Sequence, residues 1–276
     1  MAKLDGKVAI VSGSGRGIGR EIARKLAAEG AAVVVNDLDA EPAARTVADI
    51  EAAGGRAVAC AGSVTDGDFA QRFVDTAVDR FGGLDVIVNN AGYTWDTVIQ
   101  KMTDDQWDAI LDVHLKAPFR ILRAAQPVIS AAVKRALAAG DPVPVRKVVN
   151  ISSVAGLHGN AGQVNYAAAK AGVTGLTRAL AKEWGRYQVT VNTVAFGLIR
   201  TRLTDASAAG DSTIDVQGRQ IKVGVNPDLL AAAEHMIPLG RAGTPVDAAN
   251  AVYLLTVPES DYVTGQTLVC DGGFMM

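Results

Sequence analysis

Tyr166 and Lys170 stand one helical turn apart in Asn165-Tyr166-Ala167-Ala168-Ala169-Lys170, and Ser153 precedes them across a glycine-bearing stretch. Such a trio can move a proton at neutral pH without a metal, a histidine or a carboxylate. A free phenol titrates near ~10, too high for a good general base at pH 7. Lowering that value to about 7 requires roughly 4 kcal/mol of preference for the phenolate. An ammonium about 5 Å away supplies roughly 3 kcal/mol at an effective dielectric near 20. Helical i, i+4 spacing puts Lys170 on the face of Tyr166. The competing reading is an amphipathic tyrosine beside a solvated lysine, since Tyr-x-x-x-Lys is a common helical pattern.

The surroundings decide between the two. Arg146 to Ile151 reads as a buried strand with Ser152-Ser153 at its carboxyl end, where ligands bind in open α/β sheets. The following small-residue-rich helix returns Tyr166 to the same edge. Ser153 can then donate to a substrate oxygen while Tyr166 takes or gives its proton.

Strand-like and helix-like segments alternate along the chain. The expected strands are Val8–Val11, Ala32–Asn36, Ala57–Cys60, Val86–Asn89, Lys147–Ile151, Val189–Val194 and Thr267–Val269. Most are short, apolar and without polar alternation, as strands covered on both faces are. Helices are expected near Gly17–Glu29, Glu41–Ala53, Asp66–Arg80, Thr103–Ala139, Val164–Tyr187 and Val246–Leu255, with Thr65 and Thr103 as N-caps. Gly30, Gly54 and Gly82 sit where helices stop, and Ala138–Pro144 reads as an exposed turn. Repeated βα units imply one α/β domain, residues 1–276, with a doubly wound parallel sheet and helices on both faces. Thr204 to Ile237 carries no strand signal, and a segment of that length after a βα edge predicts a substrate lid.

Composition removes several function classes. Hydrophobic residues make up 49% of 276, enough for a sizeable core, and the net charge of −2 gives no footprint for nucleic acid or an anionic membrane. Cys60 and Cys270 form no Cys-x-x-Cys pattern and fit reduced thiols in a cytoplasmic protein. The short apolar run Val8–Val11 is too brief for an export signal, and no run approaches the ~20 residues of a membrane span. His114, His158 and His235 lack ligand spacing, so no metal site is expected.

After the first strand comes Ser12-Gly13-Ser14-Gly15-Arg16-Gly17-Ile18-Gly19, opening an apolar-periodic helix. Glycines there let backbone N–H groups reach a pyrophosphate, which the helix N-terminus also favours. Asp37 closes the second strand about 20 residues on, where a carboxylate accepts the adenosine ribose hydroxyls and repels a 2′-phosphate. Arg16 competes, because it could pair with that phosphate. Asp37 against the ribose outweighs an exposed arginine, so NAD is expected over NADP, with Leu38 beside it also against the cofactor. Asn89-Asn90-Ala91-Gly92 ends the fourth strand; its asparagines can tie strands to cofactor, and Gly92 permits approach of the nicotinamide ribose.

Together these residues resemble the short-chain dehydrogenase/reductase family, and the match runs almost end to end. It is carried by Gly13/Gly17/Gly19, Asn89–Gly92, Ser153, Tyr166/Lys170, Val191–Gly197 and the terminal Gly265…Asp271-Gly272-Gly273. The Asn89–Phe119 and Asn150–Ala171 stretches are most similar to 3-oxoacyl-(acyl-carrier-protein) reductase-like members, with some similarity to hydroxyacyl-CoA-type dehydrogenases. The resemblance implies a seven-stranded Rossmann-type sheet and hydride transfer at nicotinamide C4. In it Tyr166 is the acid/base, Lys170 holds the nicotinamide ribose and depresses the tyrosine pKa, and Ser153 orients the carbonyl. Ile199 and Thr201 meet the carboxamide and phosphate region, Val64 the adenine, and a homotetramer of paired long helices and C-terminal edges is expected. Three positions depart from the family pattern: His114 for the asparagine that helps hold a relay water, Ser63 for aspartate beside the adenine, and Phe196 for proline beside the nicotinamide.

The expected activity is NAD-dependent interconversion of a secondary alcohol and a ketone, a 3-oxoacyl thioester among the candidates. Tyr93, Trp95, His158, Asn160 and Val164 are candidate pocket lining, and Arg200 and Arg202 are candidate docking groups for a carrier protein. NADPH is the usual reductant of fatty-acid synthesis, so Asp37 points away from a dedicated biosynthetic role. The alternative from another class is a dinucleotide-binding sensor or scaffold without turnover.

Overall fold

Short runs of valine, isoleucine and alanine form a sheet buried on both faces, because strands joined through helices are covered above and below. The computed structural model describes residues 2–202, 213–222, 224 and 227–275. Its strands are β1 (Val8–Val11), β2 (Ala32–Val35), β3 (Arg56–Ala59), β4 (Val86–Asn89), β5 (Arg146–Ser153), β6 (Val189–Phe196), β7 (Thr213–Val216), β8 (Arg219–Lys222) and β9 (Thr267–Cys270). Its α-helices are α1 (Gly17–Ala28), α2 (Ala40–Ala52), α3 (Phe69–Phe81), α4 (Asp104–Leu111), α5 (Ala117–Ala139), α6 (Val154–His158), α7 (Val164–Trp184), α8 (Pro227–Met236) and α9 (Pro245–Leu254).

Seven strands pair in the order β3-β2-β1-β4-β5-β6-β9, every pair parallel. The order reverses at β1, whose neighbours are β2 and β4, so a crevice opens at the carboxyl ends of β1 and β4. Alternate strand residues feed two cores. Ala9, Val11, Val33 and Val35 pack with Ile22 and Leu26 of α1, Ile50 of α2 and Val252 of α9. Val8, Ile10 and Val34 face the other way, against Phe69 and Phe73 of α3, Ile121 of α5 and Trp184 of α7.

A buried polar chain crosses the middle of this apolar sheet. Asn89 Nδ2 donates to Asn150 Oδ1 (2.7 Å), and Asn150 Nδ2 donates to Thr177 Oγ1 (2.9 Å). Thr193 Oγ1 donates to the same threonine hydroxyl at 2.8 Å. β4, β5, β6 and α7 are thereby fixed in register, since leaving any of these groups unpartnered costs about 1–3 kcal/mol.

Several elements differ from expectation. Helix α3 starts at Phe69 rather than near Asp66, and Thr65 is no N-cap: its N–H goes to Ser63 Oγ (3.2 Å), a local turn that competes with helix. The expected helix Thr103–Ala139 begins with Thr103 as a capping box but passes through a π-turn at Asp112–Lys116 before α5. The segment expected to lack strands contains the antiparallel hairpin β7–β8, while 203–212 lie outside the described residues. Gln217 and Gly218 both take positive φ (53° and 82°), the geometry of a two-residue hairpin turn. The alternation Thr213-Ile214-Asp215-Val216 around Gln-Gly was the available signal. β5 runs two residues beyond its expected end, making Ser153 its last residue.

Candidate active site

The cleft at the carboxyl ends of β1 and β4 is a cavity of about 840 Å³ that reaches from Gly13 to Tyr166. Its first wall is the loop after β1. Asn36 at the end of β2 accepts from Gly13 N–H (3.0 Å), while its Nδ2 donates to Cys60 O and Gly62 O, both at 3.0 Å. This side chain ties β1 to β2 and to the turn after β3. Asn90 Nδ2 donates to Ser12 O and Gly13 O, each at 3.0 Å, fixing the loop from the other side. A Cβ on Gly19 would strike Gly13 O, whereas one on Gly17 (φ +53°) would project into the cleft toward Thr201, 3.8 Å away. The chain thus curls around an open concavity at the N-terminus of α1, the site at which anions are held by backbone N–H groups and the helix dipole.

At one end, Asp37 is nearly buried and accepts from Arg16 Nη1 (3.1 Å), while Arg16 Nη2 reaches Asp39 (2.9 Å). Arg202 lies near the same charges; burial lowers its pKa first, repulsion from Arg16 adds to that, and Asp37 and Asp39 oppose it. Leu38 and Val64 line the cavity here.

At the other end stand the three catalytic candidates. Helix α7 is fixed on β5 by Lys170 Nζ donating to Ile151 O (2.7 Å) and Ser152 Oγ donating to Lys170 O (2.8 Å). Asn165, fully buried, pins the start of α7 by donating to Trp95 O (3.2 Å) and Gln106 O (3.1 Å) and accepting from Tyr166 N (2.8 Å). Ser153 caps α6, accepting from Ala155 N (3.2 Å), and hydrogen-bonds Tyr166. Lys170 Nζ is 5.6 Å from the Tyr166 ring centroid. The spacing expected from sequence is therefore present.

Its electrostatic consequence is reversed. Although one edge of Tyr166 borders the cleft, burial pushes its pKa up to about 12; the Ser153 hydrogen bond opposes this and Asp96 adds to it. Lys170 is pushed down to about 7 by burial. Both charged forms are penalised by the same dry wall, so the lysine does not make the tyrosine acidic; neutral phenol beside a lysine near its midpoint is the favoured state.

Every residue expected to bind cofactor lines this one cavity: Gly13, Arg16, Gly17, Ile18 and Gly19 at the loop, Asp37, Leu38 and Val64 at one end, and Asn90, Gly92, Ile199 and Thr201 toward Tyr166 and Lys170. Tyr93 and Trp95 line it as well. His158, Asn160 and Val164 do not; they are exposed, because α6 turns outward at Gly159. Arg200 is also outside, paired with Glu234 (2.6 Å). Gly92 serves a second purpose: a Cβ there would land on the His114 imidazole. Phe196, paired with Ser153 across β5–β6, packs into one core and borders the cleft. Asn36 and Asn165 were missed, since a single asparagine at a strand end or in a first helical turn carries no distinctive pattern. Among the described residues, no cluster of three His, Cys, Asp or Glu could hold a metal, and no helix is long and apolar enough to cross a membrane.

Residues 13–275 match the family model described as Enoyl-(Acyl carrier protein) reductase. The chain is 38% identical to 3-oxoacyl-(acyl-carrier-protein) reductase FabG of Vibrio harveyi, covering 99% of each chain. It is 35% identical to the enzyme of that name from Thermotoga maritima, covering 99% of this chain and 100% of the relative. A crystal structure of a protein assigned as a short-chain alcohol dehydrogenase from Sinorhizobium meliloti superposes with a TM-score of 0.85 at 32% identity, covering 99% and 98% of the two chains. The chain belongs to the short-chain dehydrogenase/reductase family of oxidoreductases.

Absorbance near 295 nm, wild type minus Tyr166→Phe, should show no phenolate from Tyr166 as pH rises through neutrality and up to about 11, because its pKa lies at about 12. A component titrating near pH 7 would restore the acidic tyrosine expected from sequence.

Proposed function

We propose that this chain is an NAD(H)-dependent oxidoreductase that interconverts a secondary alcohol and a ketone, with Tyr166 as acid/base. The observation that carries this reading is the convergence of Ser153, Tyr166 and Lys170 at one end of a cleft whose other end presents Asp37. The bound nicotinamide supplies or accepts the hydride. Ser153 and Tyr166 donate to the carbonyl oxygen, which holds the carbonyl in place and gives the oxygen its proton as negative charge develops there. Tyr166, protonated at neutral pH, is suited to giving a proton. Lys170, near pH 7, can exchange protons with solvent and reload the phenol. The protonated lysine is present below about 7 and lost above it, so carbonyl reduction should weaken as pH rises through that value.

Among substrates, a 3-oxoacyl/3-hydroxyacyl thioester pair is the class favoured by the names of the relatives. Of the two docking candidates, Arg200 pairs with Glu234 (2.6 Å), while Arg202 lines the cleft at its Asp37 end. The reacting portion, rather than a docked carrier, is the part this cleft is built to hold. No observation favours the silent sensor. Acetoacetyl thioesters and simple ketones assayed with NADH and NADPH test the reading: turnover should appear, and Tyr166→Phe should lower kcat by about 10²–10⁴-fold. Unchanged turnover in that variant removes Tyr166 from the chemistry.

NAD is assigned on Asp37, whose carboxylate lies against the loop at Gly15 and holds Arg16 in an ion pair. Asp37→Ser should remove the carboxylate that repels a 2′-phosphate, leave Arg16 with only its Asp39 pair, and shift kcat/KM toward NADPH by about 10-fold or more. A wild type that already prefers NADPH overturns the assignment.

We infer a cytoplasmic homotetramer. Leu239, Leu254 and Tyr262 are largely exposed near the β9 edge, and Phe119 and Leu137 are exposed on α5, surface that paired copies would cover. Sedimentation velocity should give a four-chain particle; a monomer at micromolar concentration contradicts it.

A further inference from the structure

Four buried side-chain polar atoms lack a hydrogen-bond partner among the described residues: Arg20 Nε, Asn89 Oδ1, Thr190 Oγ1 and His114 Nδ1. Only His114 belongs to the catalytic cleft. Its imidazole is 4% exposed, in the middle of the π-turn at Asp112–Lys116, a distortion that recurs at functional sites. Nε2 lies 2.7 Å from Tyr93 O. A carbonyl only accepts, so Nε2 carries the proton and Nδ1 is a bare acceptor. A Cβ on Gly92 would come within 2.6 Å of Nδ1, so the Gly92 α-carbon covers that edge of the ring. The Tyr166 ring meets the imidazole edge-to-face at 5.0 Å and 89°.

We propose that His114 is a positioning residue, a tautomer-locked aromatic wedge that sets the Tyr166 phenol and holds the Gly92–Tyr93 segment against it. This rests on the reading of Tyr166 as the acid/base. The wedge works only as a neutral ring, because a second proton would enter at Nδ1 and find no partner. Burial holds its pKa well below the usual histidine value, Lys170 repels the same proton, and the Tyr93 carbonyl opposes both. Besides Lys170, and apart from Arg16, Asp37, Asp39 and Arg202 at the far end, the ionisable groups lining the cleft are Tyr166 on α7, Tyr93 and Asp96 after β4, Asp105, Asp108 and Asp112 on α4 and the π-turn, and Asp215 and Arg219 on the hairpin. None of them bonds Nδ1. An asparagine at 114 could still donate to Tyr93 O, but it offers no ring to Tyr166. A phenylalanine would keep the ring and lose the donor.

Ring-nitrogen NMR of the whole protein tests the lock without turnover. With three histidines in the chain, the signals missing in His114→Asn belong to His114. One protonated and one bare nitrogen, unchanged from about pH 5.5 to 8.5, are expected. In kinetics, His114→Asn should lower kcat about tenfold and displace the pH limb of reduction, with KM for the dinucleotide unchanged. His114→Phe should recover most of kcat while raising KM for the carbonyl substrate. A His114 ring that takes up a second proton in this range, or an asparagine variant with wild-type kcat and pH limb, overturns the proposal. Failure of the Tyr166 reading is seen separately, as unchanged turnover in Tyr166→Phe with the histidine signals intact.

Discussion

Two hydrogen bonds running in opposite directions hold α7 on β5, and the placement of Ser153, Tyr166 and Lys170 depends on them. Lys170 Nζ donates to the carbonyl of Ile151, and Ser152 donates back to the carbonyl of Lys170. Ser153 follows on the strand, and Tyr166 lies one turn earlier on the helix. A strand end and a helix face are thus joined at one residue pair, and the serine–tyrosine–lysine geometry follows with little freedom left. The asparagine–threonine chain behind it, from Asn89 through Asn150 to Thr177, fixes the same helix from below. Polar groups in an otherwise apolar sheet cost stability where they go unpaired, as Asn89 Oδ1 does, so this arrangement trades stability for register.

Dryness at that junction sets the protonation states. An ammonium near a phenol favours phenolate only while the ammonium itself is stable, and here burial removes that condition by bringing Lys170 to about 7. Burial of Tyr166 itself raises its pKa, against the opposing hydrogen bond from Ser153 and with a smaller push from Asp96. The pair resembles a proton held in readiness rather than a standing base. Donation to a developing alkoxide needs a protonated phenol, and resupply needs a neighbour that exchanges near neutrality.

Much of this was readable in the residues. Glycines before an amphipathic helix, an acid at the end of β2 and the Tyr-x-x-x-Lys spacing each report a local geometry, and local geometry is what sequence encodes directly. The seven parallel strands were legible for the same reason, as short runs of β-branched residues. What escaped was non-local or energetic. The direction of the Tyr166 shift depends on how much water the folded wall excludes. The hairpin β7–β8 was hidden because its turn uses Gln217 at positive φ rather than the commoner asparagine or glycine. His158 and Asn160 failed as pocket residues because Gly159, at φ +80°, turns the chain outward, a backbone choice invisible in their chemistry.

The two ends of the cleft obey different physics. Around the nearly buried Asp37, the more exposed Arg16 and Asp39 and the neighbouring Arg202 temper one another's charge, helped by solvent. Around Tyr166, burial disfavours both the phenolate and the ammonium, and Lys170 comes to about 7. Between them the β7–β8 hairpin is tied to α4 through Arg219 and Asp105, an exposed pair whose strength falls with salt. The shifts at the second end come first from burial rather than from the ions at the first. In the function proposed above, that separation gives one sheet edge both a dinucleotide cradle and a proton-transfer site, with the pH dependence carried by Lys170.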